Sequence, residues 1–244
     1  MSKKLEAHKQ AEINVRGNTV MEAESRKPFG FPAVYWVKWA AIIDSFERLG
    51  VKPGSKILDL GCGAGWTSIF LAESGFKVVG VDIVPSNVDV AKARAKKLRL
   101  PCTFQVGDMD NFALKEKFDA VLVFDALHHT IRQPKVIRNI AKHLNPGGWV
   151  LCGEPSILHT ISPEARRTTR EEGVIERGIT VRSIKRDCRK AGLGNYRRFF
   201  ESTRPYESRI KGFSWQLIRL VSANFFFAPQ ASLWFAAQKP AKKK

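Results

Sequence analysis

Between residues 50 and 155, short apolar runs alternate with longer segments whose apolar residues recur every three or four positions. Lys56–Leu60, Lys77–Asp82, Cys102–Val106, Ala120–Phe124 and Trp149–Gly153 are runs of strand length. Thr67–Ser74, Ser86–Leu98 and Pro134–Leu144 carry helical spacing, with Ser86 placed to cap the second of them. Regular exchange of strand and helix predicts an α/β domain: a parallel sheet with helices on both faces. Ahead of it, aromatic and aliphatic residues over 33–49 predict one amphipathic helix. Residues 1–28 are polar and interrupted by Gly17, Asn18 and Pro28, so weak order is expected there. After Glu154 the pattern changes. Residues 156–194 read as Arg-rich helices and loops, Tyr196–Glu201 as a sixth strand, 206–222 as a helix and Ser232–Gln238 as a last strand. The divisions expected are a helical extension (1–50), an α/β core (51–155), a helical cap insertion (156–194) and a C-terminal part (195–244) with a basic aromatic segment and tail.

Composition adds one strong constraint. Lys and Arg number 41 against 23 Asp and Glu, a formal charge of +18. Residues 151–244 hold 19 of these cations against 8 acids. Such a surface attracts polyanions: nucleic acid, anionic lipid or phosphorylated compounds. Residues 211–227 mix Lys211 and Arg219 with Trp215 and the run Phe225-Phe226-Phe227, and the chain ends Lys242-Lys243-Lys244. Basic and aromatic residues together suit peripheral contact with an anionic membrane. They also suit completion of the core or a dimer interface. Cys62, Cys102, Cys152 and Cys188 have spacings that fit neither zinc nor a disulfide framework, so reduced, buried thiols in a cytoplasmic protein and no metal site are expected. The start of the chain has no signal-peptide pattern, and no apolar run approaches the roughly 18 residues of a membrane span.

The strongest local signal is Ile57-Leu58-Asp59-Leu60-Gly61-Cys62-Gly63-Ala64-Gly65. An apolar strand enters three glycines at alternate positions and then a helix. Glycine allows positive φ and close approach of a ligand, and the helix start offers free N–H groups. Asp82 ends the next strand, where a carboxylate can accept from both ribose hydroxyls. A dinucleotide enzyme would place its third glycine at the sixth position of the loop, which here is Trp66.

Asp59-Leu60-Gly61-Cys62-Gly63-Ala64-Gly65 resembles the first motif of class I S-adenosylmethionine-dependent methyltransferases. Val81-Asp82, Gly107-Asp108-Met109, Phe118-Asp119-Ala120-Val121, Asp125-Ala126-Leu127-His128-His129 and Leu144-Asn145-Pro146-Gly147-Gly148 resemble the family's later motifs, in its order and spacing. The resemblance implies a Rossmann-like sheet with an antiparallel last strand and S-adenosylmethionine as cofactor. It implies that Gly61, Gly63 and Gly65 line the methionine portion, that Asp59 orients the loop and that Asp82 binds the ribose. Asp108 would accept from the adenine amine, and the Met109 backbone would face the ring. Glu171–Gly192 is loosely similar to methyltransferases of bacterial polysaccharide and lipid-linked glycan pathways.

Methyl transfer to an alcohol needs orientation of the acceptor and removal of its proton. His128 and His129 follow the fourth strand at the ligand-binding edge, and one of them is the candidate base. Asp125 is placed to contact the cofactor or assist proton removal, or to make a local loop hydrogen bond. Glu154 is read as an acceptor contact or a helix cap, and Tyr35 and Trp36 as a lid or core. His8, His143 and His159 are expected to be structural, and Thr180 to cap a helix. The reading favoured is methylation of a small hydroxylated acceptor, a sugar or lipid-linked glycan. RNA methylation using the basic surface stands second, ahead of a nicotinamide oxidoreductase and a non-catalytic scaffold.

Overall fold

A computed structural model describes residues 3–17, 26–29, 34–199 and 232–241. The expected helix at 206–222, the segment 211–227 and the terminal lysines lie outside the described residues.

The described chain has seven strands: β1 (Lys56–Leu60), β2 (Lys77–Asp82), β3 (Cys102–Val106), β4 (Phe118–Phe124), β5 (Leu144–Pro155), β6 (Gly194–Phe199) and β7 (Ser232–Gln238). They form one sheet in the order β3-β2-β1-β4-β5-β7-β6. Pairings from β3 to β5 are parallel, whereas β7 runs antiparallel to both β5 and β6. This is the Rossmann-like methyltransferase fold expected from the sequence. The order reverses at β1/β4, and doubly wound sheets open their ligand crevice at such a point, beyond the strand C-terminal ends.

Helices α1 (Lys3–Gly17), α2 (Val34–Arg48), α3 (Trp66–Glu73), α4 (Pro85–Leu98), α5 (Gln133–His143), α6 (Pro163–Glu172) and α7 (Val181–Lys190) surround the sheet. Alternating side chains of each strand feed two cores. Ile57, Ala120, Leu122, Leu151 and Trp234 pack with Ile42 and Phe46 of α2 and Val88 and Ala91 of α4. Leu58, Val121, Val123, Val150 and Phe235 pack with Val136 and Ile140 of α5 and Ile184 and Cys188 of α7. Burial on both faces explains why the central strands read as unbroken apolar runs.

Several expectations need correction. The start of the chain is not weakly ordered: α1 forms and packs on α4, burying Leu5, His8 and Glu12. These three lie at helical spacing, but two of them are polar, so no apolar stripe marked the helix. Ser86 does not cap α4. The helix starts one residue earlier with Pro85 in its first turn, after extended Val84. β4 begins at Phe118, because Asp119 accepts from Lys56 N (2.9 Å) and Asn145 Nδ2 (2.8 Å) and so is satisfied within the sheet. Thr180 does cap α7, in a reciprocal box with Ser183. All four cysteines are buried free thiols. Among the described residues, no helix is long and apolar enough to cross a membrane.

Candidate functional site

A cavity of about 480 Å³ opens at the C-terminal ends of β1, β2 and β4. Its first end is the glycine loop. Gly63 has φ +53, and a Cβ built there would meet nothing within 4 Å, so the space beside it belongs to the cavity. Gly65 behaves differently. It does not line the cavity, and a Cβ on it would come within 2.7 Å of Ala91 Cβ. Its absent side chain lets the loop press onto α4. Gly61 lines the cavity against Ala126 and Met109.

Asp59 is buried outside the cavity lining, where it accepts from Thr67 Oγ1 and Ser68 Oγ, both at 2.6 Å. It therefore ties β1 to the first turn of α3 and fixes the loop from behind, the orienting place expected of it. Burial, opposed by the Ser68 and Thr67 hydrogen bonds, raises its pKa to about 6. Asp82 lines the cavity and braces its walls, accepting from Gly63 N (2.8 Å) and Val84 N (2.9 Å). A carboxylate has about four lone-pair sites, so capacity remains for ribose hydroxyls. Asp108 and Met109 also line this end. Asp108 accepts from Asp110 N (2.8 Å) and pairs with Lys9 of α1. The N-terminal helix thus roofs the cavity, with Leu5, His8, Lys9 and Glu12 facing inward.

The opposite end is built on the loop after β4. Asp125 adopts φ +53 there, donates its N–H to Gly153 O (2.8 Å) and lies 3.8 Å from Lys38 Nζ. Although burial works to raise its pKa, Lys38, His128, His129 and Lys27 outweigh it and hold the carboxyl below its ordinary value. A short 3₁₀ turn, Leu127–His129, follows. Glu154 at the end of β5 fixes this turn, accepting from the backbone N–H groups of Ala126 (3.1 Å), Leu127 (2.9 Å) and His128 (3.3 Å). Its Oε2 also takes His128 Nδ1 at 2.8 Å. Glu154 is neither an acceptor contact nor a helix cap but the anchor of the histidine loop.

Glu176 completes the group. Its segment crosses directly over β5. Arg177 N donates to His128 O, Gly178 N to Thr160 Oγ1 and Ile179 N to Pro155 O. A Cβ on Gly178 would lie 2.0 Å from Ser156 O, so only glycine permits the crossing. Glu176 Oε2 then stands 2.9 Å from His159 Nε2 and 3.3 Å from His128 Nε2, with Oε1 3.7 Å from His129 Nδ1. Burial alone would lower the His128 pKa, but hydrogen bonds to Glu154 and Glu176 push it up to about 10. Burial alone would raise the Glu176 pKa, but His128, His129 and His159 bring it down to about 2. His129 Nδ1 lies 3.1 Å from Ile175 O and 3.3 Å from Glu12 Oε1.

The structure therefore brings together Gly61, Gly63, Asp82, Asp108, Met109, Asp125, His128 and His129 around one cavity, and leaves Asp59 and Gly65 behind its wall. His8 and His159, expected to be structural, line it too, as do Glu176 and Glu12, the last of which sequence reasoning passed over. His143 is structural as expected, with Nε2 accepting from Leu114 N and Nδ1 donating to Asn139 O. Tyr35 lines the cavity under Lys27 and Lys38, whereas Trp36 lies exposed against Phe29. His128, His129 and Glu176 each place one potential ligand atom within 4.8 Å of the others.

Residues 57–148 match a family model described as a methyltransferase domain. A phosphoethanolamine N-methyltransferase 1 of Arabidopsis thaliana is 30% identical over 141 residues, covering 57% of this chain and 28% of that protein. A ubiquinone biosynthesis O-methyltransferase of Methylobacterium sp. (strain 4-46) is 33% identical over 105 residues, covering 42% of each. The chain thus spans less than half the length of these curated relatives. Among solved structures, Haemonchus contortus phosphoethanolamine N-methyltransferase 2 in complex with S-adenosyl-L-methionine superposes with a TM-score of 0.69 at 20% identity. That match covers 98% of this chain and 60% of the other. The cyclase SpnF matches with a TM-score of 0.62 at 18% identity, over 88% of this chain and 85% of its own. A cyclase on this fold illustrates that architecture alone does not name the reaction. The chain therefore has the Rossmann-like fold of these structures, and its residues 57–148 are similar to a methyltransferase domain.

Proposed function

We propose that the protein transfers a methyl group from S-adenosylmethionine to the oxygen of a small hydroxylated acceptor, a sugar or lipid-linked glycan being the favoured class. The observation that carries this reading is the single cavity that joins Gly63, Asp82 and Asp108 at one end to His128 and His129 at the other. The donor set fits the cofactor. Open space beside Gly63 admits it, Asp82 accepts from ribose hydroxyls, and Asp108 accepts from the adenine amine once Lys9 yields its place. When bound, S-adenosylmethionine supplies an activated sulfonium methyl group that an acceptor oxygen displaces in line.

The two histidines take separate roles. His128, clamped between Glu154 and Glu176, is an imidazolium and serves as a fixed positive charge. His129 takes the acceptor proton. With Nδ1 donating to Ile175 O, the tautomer makes Nε2 its basic nitrogen. A proton-transfer group so placed contributes roughly 10²–10⁴-fold in rate.

A second reading, methylation of an amine, draws support from Glu12, Asp125 and Glu176 at the same end, since carboxylates suit an ammonium group. Matches to both N- and O-methylating relatives accord with either. The deciding experiment is a radiolabelled methyl-transfer screen over sugar nucleotides, lipid-linked saccharides, quinone precursors, phosphoethanolamine and transfer RNA. Transfer to hydroxyl compounds supports the first reading. Transfer only to amines replaces it with the second, and transfer only to RNA assigns the basic surface to a nucleic-acid substrate.

A further inference from the structure

Methyl transfer leaves one feature of the cavity unused: Glu176, a carboxylate with 8% exposure, stands among the imidazoles of His128, His129 and His159. We propose that His128, giving up its Nε2 proton, binds one divalent first-row transition-metal ion together with His129 and Glu176, the ion's open side facing the cavity and taking an oxygen of the hydroxylated acceptor; the imidazolium and base roles given above are those of the metal-free protein. The use of the ion rests on the methyl-transfer reading; its binding does not.

Three observations carry the site. The first is spacing. Bonds of about 2.0–2.1 Å in tetrahedral geometry hold neighbouring ligand atoms roughly 3.3 Å apart. His128 Nε2 and Glu176 Oε2 are 3.3 Å apart, and one ligand atom from each of the three residues falls within 4.8 Å of the other two. Only small side-chain adjustments separate this from a coordination sphere.

The second is support behind the ligands. Metal-bound histidines commonly donate their other ring N–H to a carboxylate, which fixes the ring and its tautomer. Glu154 takes His128 Nδ1 at 2.8 Å and is itself held by three backbone N–H groups, so Nε2 is aimed at Glu176. His159 holds Glu176 at 2.9 Å and orients that carboxylate in turn.

The third is charge. Glu12, Asp125, Glu154 and Glu176 lie about the histidines, and Lys38 of α2 pairs with Asp125. A dication offsets this concentration of carboxylates where ligands enter. Two imidazoles and one carboxylate, with positions left for solvent or substrate, are a donor set for Zn²⁺, Co²⁺, Mn²⁺ or Fe²⁺.

The test uses the full chain, freed of any polyhistidine tag and of metal by chelator dialysis. Calorimetric titration with ZnCl₂ should show one equivalent bound, and CoCl₂ should develop visible d–d absorption typical of nitrogen and oxygen ligands. Glu176→Gln and His129→Ala should each weaken binding at least ~10-fold, the lower end of what even supporting residues give. Zn²⁺ should raise Tm in the wild type by mass action and not in the variants. S-adenosylmethionine affinity, measured on the same samples, should be unchanged in both. Loss of metal binding with cofactor binding intact supports the site. No binding by the wild type, or equal binding by wild type and variants, overturns it and leaves imidazolium–carboxylate pairs in its place. Cofactor binding lost in the wild type would instead refute the methyltransferase reading and leave the metal result standing. If Glu176→Gln fails to fold by circular dichroism, His129→Ala decides alone.

Discussion

Replacing Glu154 by Ala should unfold the histidine loop and cost more stability than any other single change in the cavity wall. Its carboxylate is almost fully buried and carries four interactions at once: three backbone N–H groups and the His128 ring. The variant removes one partner of a buried ion pair and leaves three backbone N–H groups and His128 Nδ1 without their acceptor, while Glu176 still faces Nε2, a loss of about 3–5 kcal/mol. For a chain of this size each kcal/mol moves Tm by about 2–4 °C, so a fall of roughly 6–20 °C is expected. Urea unfolding followed by circular dichroism at pH 6 measures the loss directly. Glu154→Gln keeps one acceptor oxygen and should lie between the two. The pH dependence gives a second reading. His128 is raised from 6.5 to about 10, so its contribution is full below about pH 6.5 and is lost as pH climbs through about 10. Glu176 is lowered from 4.5 to about 2, so its contribution is full above about pH 4.5 and is lost as pH falls through about 2. Both act fully between about pH 4.5 and 6.5. In Glu154→Ala the alkaline decline should flatten. A loss under ~1 kcal/mol, or an unchanged alkaline limb, would refute the anchoring role.

The other predictions concern ligand and surface. Gly63→Val should abolish S-adenosylmethionine binding in calorimetry while the protein stays folded, whereas Gly65→Val should lower Tm, because its new side chain strikes Ala91 and Phe104; equal behaviour of the two variants contradicts the division of roles. Asp82→Ala should weaken cofactor binding by roughly 1.5–3 kcal/mol, typical of hydrogen bonds to a charged group, and undiminished affinity in a folded variant removes Asp82 from the site. His129→Ala should lower turnover by ~10²–10⁴-fold with little change in cofactor affinity, and full activity excludes it as base. Co-sedimentation with anionic but not neutral vesicles, reversed by salt, is expected if the basic C-terminal part meets lipid; protein left in the supernatant sends its charge to another partner.

The core of the fold was legible because each central strand is short, apolar and sharply bounded. β1, β2, β3 and β7 have the limits read from sequence. The cofactor end was equally legible, since its residues cluster in local motifs whose chemistry shows in their order. The transfer end was not. Glu176 lies 48 positions beyond His128, and only the crossing permitted by Gly178 brings them together. His159 looked structural for the same reason: nothing near it in the chain announces a partner. α1 was missed because its inward face is polar, matching a polar cavity instead of an oily core. Asp59 and Gly65 sit inside a recognisable motif yet lie behind the cavity wall, a distinction that spacing alone does not carry.

The position of β7 has a consequence for how the molecule is made. It follows the other six described strands in the chain, yet it sits between β5 and β6 and supplies Trp234 and Phe235, both almost fully buried, to opposite cores. During synthesis those six strands emerge from the ribosome before it. Until β7 arrives, β5 and β6 each present an open edge and both hydrophobic layers lack a large aromatic residue. Nascent chains and truncations ending before Ser232 are therefore the forms most exposed to edge-to-edge aggregation and to chaperone capture, and β5 is joined to β6 only when β7 fills the position between them.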